Sequence, residues 1–321
     1  MLSGLSTLPN CIVRSPTLDE LPPPPAHKTG WPWTAETPPI TTAPSNVKSW
    51  PRISIVTPSF NQAAFIEETI RSVLLQGYSD LEYVVIDGGS TDGSVDIIRK
   101  YERWITHWVS EPDQGQADAI QKGLNRVSGQ ISAYLNSDDL YMRGALQRVA
   151  ARFASRPDLD VVYGNLYRID SCDHILEEHR NTPFLRWGYL YGGFFLHQPC
   201  TFWKTDVVRA VGGFNPEFRF DMDNDLFVRI AMTRARFAFE RAFLAGFRVH
   251  ETSKTSTILH VSREENERIR EKYLPFPFNS AGGTMIRSFS FACRLCWYTV
   301  QGDLGWLARR AFSRSARMRG A

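Results

Sequence analysis

Ile53-Ser-Ile-Val-Thr-Pro-Ser-Phe-Asn61, Tyr83-Val-Val-Ile-Asp-Gly-Gly-Ser-Thr-Asp92 and Ile131-Ser-Ala-Tyr-Leu-Asn-Ser-Asp-Asp139 share one pattern: a short apolar run that stops in polar residues. Each run has strand length and is rich in β-branched or aromatic residues. Between the runs the apolar spacing changes. Ile66, Ile70, Val73 and Leu74 recur at helical intervals, and further helices are expected around Val95 to Tyr101, Gln116 to Val127 and Ala145 to Phe153. Another strand is expected near Ile105 to Val109. Strands alternating with helix-length crossovers imply a parallel sheet with helices on its faces. Ligands of such sheets bind beyond the carboxyl ends of the strands. The polar residues of this chain stand at those ends: Thr57 to Asn61, Asp87 to Asp92 and Asn136 to Asp139.

The surrounding sequence is less regular. The 321 residues are 43% hydrophobic and 22% charged, with a formal net charge of +3. That composition can build a sizeable core and makes no electrostatic case for nucleic acid. Residues 1–50 are proline-rich (Pro22 to Pro25, Pro38, Pro39, Pro44) and are expected to form an extended or disordered arm. Trp31, Trp33 and Trp50 point to parts of that arm lying against the domain. From Met285 onward there are seven arginines (287, 294, 309, 310, 314, 317 and 319) against Asp303 alone, a basic tail suited to an anionic surface.

The five cysteines (11, 172, 200, 293 and 296) are odd in number. Cys293 and Cys296 form a CxxC without the second pair that a zinc site needs. Reduced cysteines of a cytosolic protein are expected, with a redox pair as the lesser alternative. The first residues do not read as a leader, and Phe289 to Val300, the most apolar run, is short and broken by Arg294. A soluble cytoplasmic protein is expected, acting at the inner face of the membrane if it touches one.

The strand ends exclude some chemistries. Thr57 to Asn61 contains no glycine, so a dinucleotide-binding turn is absent, and no GxxxxGK[ST] loop occurs. Asp138-Asp139 places two carboxylates side by side after a buried strand, where repulsion is costly unless a cation or ligand offsets it. Oxygen ligands of this kind suit Mg2+ or Mn2+ shared with a substrate phosphate. The alternative is a solvated turn ahead of the next helix. Gly115 opens a helix whose N-terminus favours an anion; Asp118 and Lys122, four residues apart, read equally well as site residues or as a surface ion pair. Asp221, Asp223 and Asp225 are more acids than capping requires, and one is a candidate general base. His197 and Gln198 lie among apolar residues, where a packed core histidine is a serious alternative. His250 is a candidate metal ligand or a packed histidine.

Together these elements, with Gly212-Gly-Phe214 and Asp223-Asn-Asp-Leu-Phe-Val-Arg229, resemble the family 2 glycosyltransferases of GT-A fold over about Arg52 to Thr255. The resemblance implies an α/β fold. Its GT-A-like, mostly parallel sheet is covered by helices and carries a Pro-rich N-terminal arm (1–50) and a basic, helical C-terminal extension (261–321). It divides the catalytic domain (51–260) into a nucleotide-sugar half (51–140) and an acceptor half (141–260). It implies inverting transfer from a nucleoside-diphosphate sugar to a glycan or lipid-linked acceptor in bacterial surface-polysaccharide biosynthesis. The basic C-terminus would give peripheral membrane contact.

The resemblance also assigns roles. Phe60 and Asp87 would contact nucleobase and ribose, and Pro58 would shape the turn. Asp138 would join the donor site. Asp139 would be the direct ligand of Mn2+ or Mg2+, with His250 joining it. Asp223 matches the base, with Asp225 as runner-up, and His197 and Gln198 would face the acceptor. The sequence departs from the family pattern at Asn136 and Gly88, where aspartates are usual, and at Ile120, so that Lys122 would take over phosphate contact. Two other readings compete. A nucleotidyltransferase would need a basic, glycine-rich loop after the first strand. A degenerate binding protein is opposed by the joint presence of Asp87, Asp138, Asp139 and Asp223.

Overall fold

The computed structural model describes residues 14–40, 42, 49–192, 196–251, 253 and 259–310. Strand β1 (Ile53–Ser59) is buried along its whole length. β2 (Leu81–Asp87) and β4 (Ile131–Tyr134) flank it in parallel, with Ile53 opposite both Leu81 and Ile131. β3 (His107–Ser110) continues the parallel order beyond β2. It starts later than the sequence suggests because Ile105 closes a 3-10 turn on Glu102 and the Thr106 amide is already donated to the Tyr83 carbonyl.

Helices α1 (Ile66–Leu74), α2 (Ser94–Lys100) and α3 (Gln116–Arg126) provide the crossovers. Ile66, Ile70, Val73 and Leu74 are fully buried, as their spacing requires. α3 lies so close on β1 that a Cβ at Gly123 would stand 2.3 Å from the Val56 side chain. In register, Ser59 pairs with Asp87 and Asp87 with Ser110. The polar residues therefore end on one rim.

The second half is mixed in direction. β5 (Leu140–Tyr141) is followed by α4 (Ala145–Ser155), the hairpin β6 (Val161–Ile169) and β7 (Ile175–His179), and β8 (Thr201–Lys204). Helices α6 (Thr205–Ala210) and α7 (Met222–Ala231) then lead to the long β9 (Phe237–Arg248). The sheet order is β3-β2-β1-β4-β8-β6-β9-β5, with β7 on β6. β8 runs antiparallel to β4 and β6, whereas β6 and β9 are parallel. β5 pairs antiparallel with β9, Leu140 opposite Gly246 and Tyr141 opposite Ala245. That pairing brings the Asp138-Asp139 turn beside the end of β9.

Among the described residues of the proline-rich arm, 14–40 contain one 3-10 turn (Leu18–Glu20) and neither α-helix nor strand, and they are pinned to the domain. Fully buried Arg71 donates to the carbonyls of Pro22, Pro32 and Trp33, and its guanidinium lies 5.5 Å from the Trp33 ring centre. The Trp31 indole donates to the Tyr141 carbonyl at 2.8 Å. The Trp31 indole and the Pro22, Pro32 and Trp33 carbonyls of the arm thus find their partners on the domain.

The chain falls into two compact units, Met1–Asn181 with Leu196–Glu267, and Thr182–Phe195 with Arg268–Ala321. The division passes through helix α8 (Leu259–Tyr273). The second unit contains α5 (Arg186–Leu190) and α9 (Ala281–Val300). Cys293 and Cys296 lie on α9 as free thiols, and buried Cys200 has its thiol pushed up to about 12 by burial. Cys11, Pro44, Arg314, Arg317 and Arg319 lie outside the described residues. Among the described residues, no helix is long and apolar enough to cross a membrane.

Candidate active site

A cleft of about 1140 Å³ opens on the rim of the first unit. One wall comes from the parallel half. Phe60, at the end of β1, is 61% exposed, an unusual position for an apolar ring unless a planar group stacks on it. Pro58 and Gly88 line the same wall. A Cβ at Gly88 would meet the Asp113 carboxylate at 2.8 Å and the Phe60 ring at 3.3 Å. An aspartate at position 88 would require the Asp113 side chain to swing away; with glycine there, a carboxylate reaches that neighbourhood from Asp113 instead. Gly115, with φ of 111°, lets the chain turn into α3 at the cleft edge.

Asp87 does not face the cleft. Its side chain is fully buried and accepts from the amides of Gly89 and Ser90 and from the hydroxyls of Ser90 and Ser110. Its carboxylate builds the turn, so the expected ribose contact does not follow from the geometry. Lys122 likewise does not line the cleft. It forms ion pairs with Asp118 at 3.2 Å and Glu111 at 3.6 Å, the surface alternative that its spacing allowed.

The two adjacent aspartates diverge. Asp138 lines the cleft and approaches His250 Nε2 at 3.0 Å. His250 packs on Phe65, ring centres 4.8 Å apart. Asp139 points inward and is 1% exposed. Its Oδ1 accepts the Arg248 amide at 2.9 Å and its Oδ2 the Asn136 side-chain amide at 3.2 Å. Burial, reinforced by Asp138, pushes the Asp139 carboxyl well above the usual carboxylate range. This corrects the expected direct ligand: Asp138, and not Asp139, presents oxygen to the cleft.

Arg248, unremarked in the sequence, organises this corner. Its Nε donates to the Asp138 carbonyl at 2.8 Å, and its guanidinium pairs with Glu68 and Asp173. Arg248 is the last residue of β9, and the available signal was its spacing of two from His250, just beyond the strand. Among the described residues, no group of three His, Cys, Asp or Glu gathers as a cation site. One carboxylate and one imidazole nevertheless suit a divalent cation that takes its other ligands from a substrate diphosphate.

Asp223 lines the cleft from the first turn of α7. Asp225 does not: it is 1% exposed and paired with Arg229 at 2.6 Å, whose guanidinium also donates to the carbonyls of Val211 and Gly213. Asp225 therefore anchors the Gly212-Gly-Phe214 turn, and its place as alternative base is corrected. The segment ahead of Asp223 is held by α8. Buried Glu265 accepts three successive backbone amides, from Arg219, Phe220 and Asp221, at 2.7 to 3.0 Å. Asn266 donates to the Asp221 carboxylate and accepts from Asn224. Nothing in the charged run Arg263 to Glu267 announced this; the only hint was that Glu265 and buried Ile269 share a helical face.

His197 and Gln198 both line the cleft. The Gln198 side-chain amide is committed to the Tyr134 carbonyl at 2.5 Å, so it shapes the wall. The His197 ring stands edge-on to His179, centres 4.9 Å apart, and His179 and Arg168 extend the wall through β6 and β7. Neither His179 nor Arg168 had a motif to mark it.

Residues 54–227, more than half of the chain, match the family model described as glycosyl transferase family 2. A PGL/p-HBAD biosynthesis glycosyltransferase of Mycobacterium bovis is 32% identical over 192 residues, covering 56% of this chain and 69% of the relative. An uncharacterised glycosyltransferase of Mycobacterium tuberculosis is 29% identical over 187 residues, covering 57% and 70%. Two solved structures share the fold. The mannosyltransferase PcManGT of Pyrobaculum calidifontis, solved with GDP-Man and Mn2+, superposes with a TM-score of 0.55 at 20% identity, covering 87% of this chain and 84% of that one. S. aureus TarS 1-349 with UDP-GlcNAc gives 0.53 at 17%, covering 70% and 71%. Against a longer TarS chain, the match spans 44% of that chain.

Proposed function

This chain belongs to glycosyl transferase family 2, and from that premise we propose that it moves a sugar, with inversion, from a nucleoside-diphosphate sugar to an acceptor hydroxyl. The acceptor is a glycan or a lipid-linked glycan of surface-polysaccharide biosynthesis, reached at the inner face of the membrane. The observation that carries this reading is one cleft lined at once by Phe60, by Asp138 with His250 behind it at 3.0 Å, and by Asp223. GDP-Man and UDP-GlcNAc in the two structural neighbours support the donor class.

Phe60 stacks on the nucleobase, Pro58 shapes the turn beneath it, and Asp113 supplies the hydrogen-bond acceptor beside it. Asp138 and His250 would hold Mn2+ or Mg2+, which when bound offsets the charge of the departing diphosphate. Asp223 accepts the proton of the acceptor hydroxyl as its oxygen bonds to carbon 1 and the bond from carbon 1 to the diphosphate oxygen breaks. His197, with His179 and Arg168, lines the acceptor side.

Thermal shift with UDP, GDP, CMP and dTDP, each with and without manganese, tests the donor site and names the nucleotide. Asp223→Asn should keep the shift and lose transfer by roughly a hundredfold or more. Parallel loss of binding and transfer would make Asp223 a structural residue. No response to any nucleotide would favour a degenerate, non-catalytic domain.

A further inference from the structure

α9 is amphipathic in the wrong sense for a packed helix. The side that it buries is Gly283, Ser290 and Tyr298. The fit there is close: a Cβ at Gly283 would lie 2.5 Å from the Phe278 carbonyl, and one at Gly188 of α5 would lie 2.8 Å from the Ser290 hydroxyl. Gly283 and Ser290 are small, Tyr298 alone of the three is large, and five large apolar side chains face out. Met285, Phe289, Phe291 and Val300 are between 64% and 74% exposed, and Leu295 is 41% exposed. At helical spacing Met285, Phe289 and Val300 border one side of the exposed arc, and Phe291 and Leu295 the other. Every exposed residue of the helix is uncharged. An arc of five large apolar side chains along a twenty-residue helix is more than scattered surface hydrophobicity.

The charge around this face selects its partner. α9 carries no acid, and its Arg287 turns back to Thr284 and the Phe278 ring; the positive charge near this face comes from the residues that follow, Arg309, Arg310, Arg314, Arg317 and Arg319 against Asp303 alone. A second copy of the chain would bring the same positive charge against itself. An anionic lipid surface complements both features, since interfacial helices bind through buried apolar area plus attraction to acidic headgroups. Among the described residues, no helix can cross a membrane, so a helix with this face lies along the surface.

We propose that the uncharged outer face of α9 docks on an anionic membrane, its phenylalanines entering the headgroup boundary while the arginines that follow the helix engage lipid phosphates. This deepens the reading of a lipid-linked acceptor and rests on it for its purpose. Docking itself is measured without donor or acceptor, so the two can fail separately.

The test is co-sedimentation of the full chain with vesicles of phosphatidylcholine, with and without an equal part of phosphatidylglycerol. The expected result is binding to the anionic vesicles that weakens as salt rises. Phe289→Ser and Phe291→Ser should each reduce partitioning about tenfold, and the double variant should abolish it. Both side chains are exposed, so unchanged thermal stability would separate docking from folding. Three outcomes overturn the proposal. In the first, the wild type remains in the supernatant with every vesicle. In the second, binding is indifferent to the two substitutions, which would leave the basic tail alone responsible. In the third, sedimentation equilibrium shows a dimer that the double variant dissociates, which would make the face a contact between copies.

Discussion

Asp138 and Asp139 are chemically identical neighbours, and the fold gives them opposite tasks. Asp138 offers its carboxylate to the cleft beside His250, whereas Asp139 is consumed by the Arg248 amide and the Asn136 side chain. Removing the second should therefore look structural. Asp139→Ala leaves the buried Arg248 amide and the half-buried Asn136 amide without this acceptor and is expected to cost about 2–3 kcal/mol in urea unfolding, while the folded fraction keeps its manganese-dependent response to nucleotide. Asp138→Asn should do the reverse: ordinary stability, with the manganese dependence lost. Isothermal titration of nucleotide with and without manganese, run on both variants, checks the pair. The adjacency of two acids was legible in the sequence, but which one faces the cleft was not. That depends on β5 pairing with β9, more than a hundred residues away along the chain.

At the level of elements, the placement of Asp223 depends on two helices that meet end to side. α7 carries the carboxylate in its first turn, and α8 supplies Glu265 to the three amides just before it. A single carboxylate accepting three adjacent N–H groups fixes the direction from which α7 starts. Glu265→Ala is expected to destabilise the first unit by about 3 kcal/mol and to lower transfer more than donor affinity. Glu265→Gln, which keeps one acceptor oxygen, should recover part of both. Steady-state kinetics at saturating donor, beside chemical unfolding, distinguishes this from general unfolding. The apolar spacing of α1, α3 and α4 was readable because those helices cover the sheet with continuous apolar faces. α8 was opaque because its essential contact is polar and sits in a run of charges that otherwise reads as a solvated surface.

Across the whole molecule, one charge cluster, buried at Glu68 and Arg248 and partly exposed at Lys28 and Asp173, joins four distant segments: Lys28 of the arm, Glu68 of α1, Asp173 of the β6–β7 turn and Arg248 of β9. Burial pushes the Glu68 carboxyl up to about 7, against Arg248 and Lys28, which favour its charge, and with Asp173, which opposes it. A carboxyl pKa raised in the folded state means that the native protein binds the proton more tightly than the unfolded chain. Its contribution to stability is greatest below the unfolded value and is lost as pH rises through about 7. The stability of the wild type relative to Glu68→Gln should therefore fall by on the order of 2 kcal/mol between about pH 5 and pH 8, measured by urea unfolding across that range. A flat difference would show that Arg248 keeps Glu68 ionised throughout.

The sequence by itself determined the alternating sheet, the polar strand ends and the family, because these rest on local periodicity and on short motifs that folding leaves in order. It also carried Pro58, Phe60, Asp138, Asp223 and His250, each of which lines the cleft or stands within hydrogen-bonding distance of a residue that does. Only the tertiary structure decided that Asp87, Asp139 and Asp225 spend their carboxylates on the scaffold. It alone showed that Asp113 occupies the space beside Gly88, and that Arg248 and Glu265 hold the reacting corner. The physical reason is that a carboxylate buried against internal donors is spent on them, and which carboxylate is buried is set by the packing of elements distant in the chain.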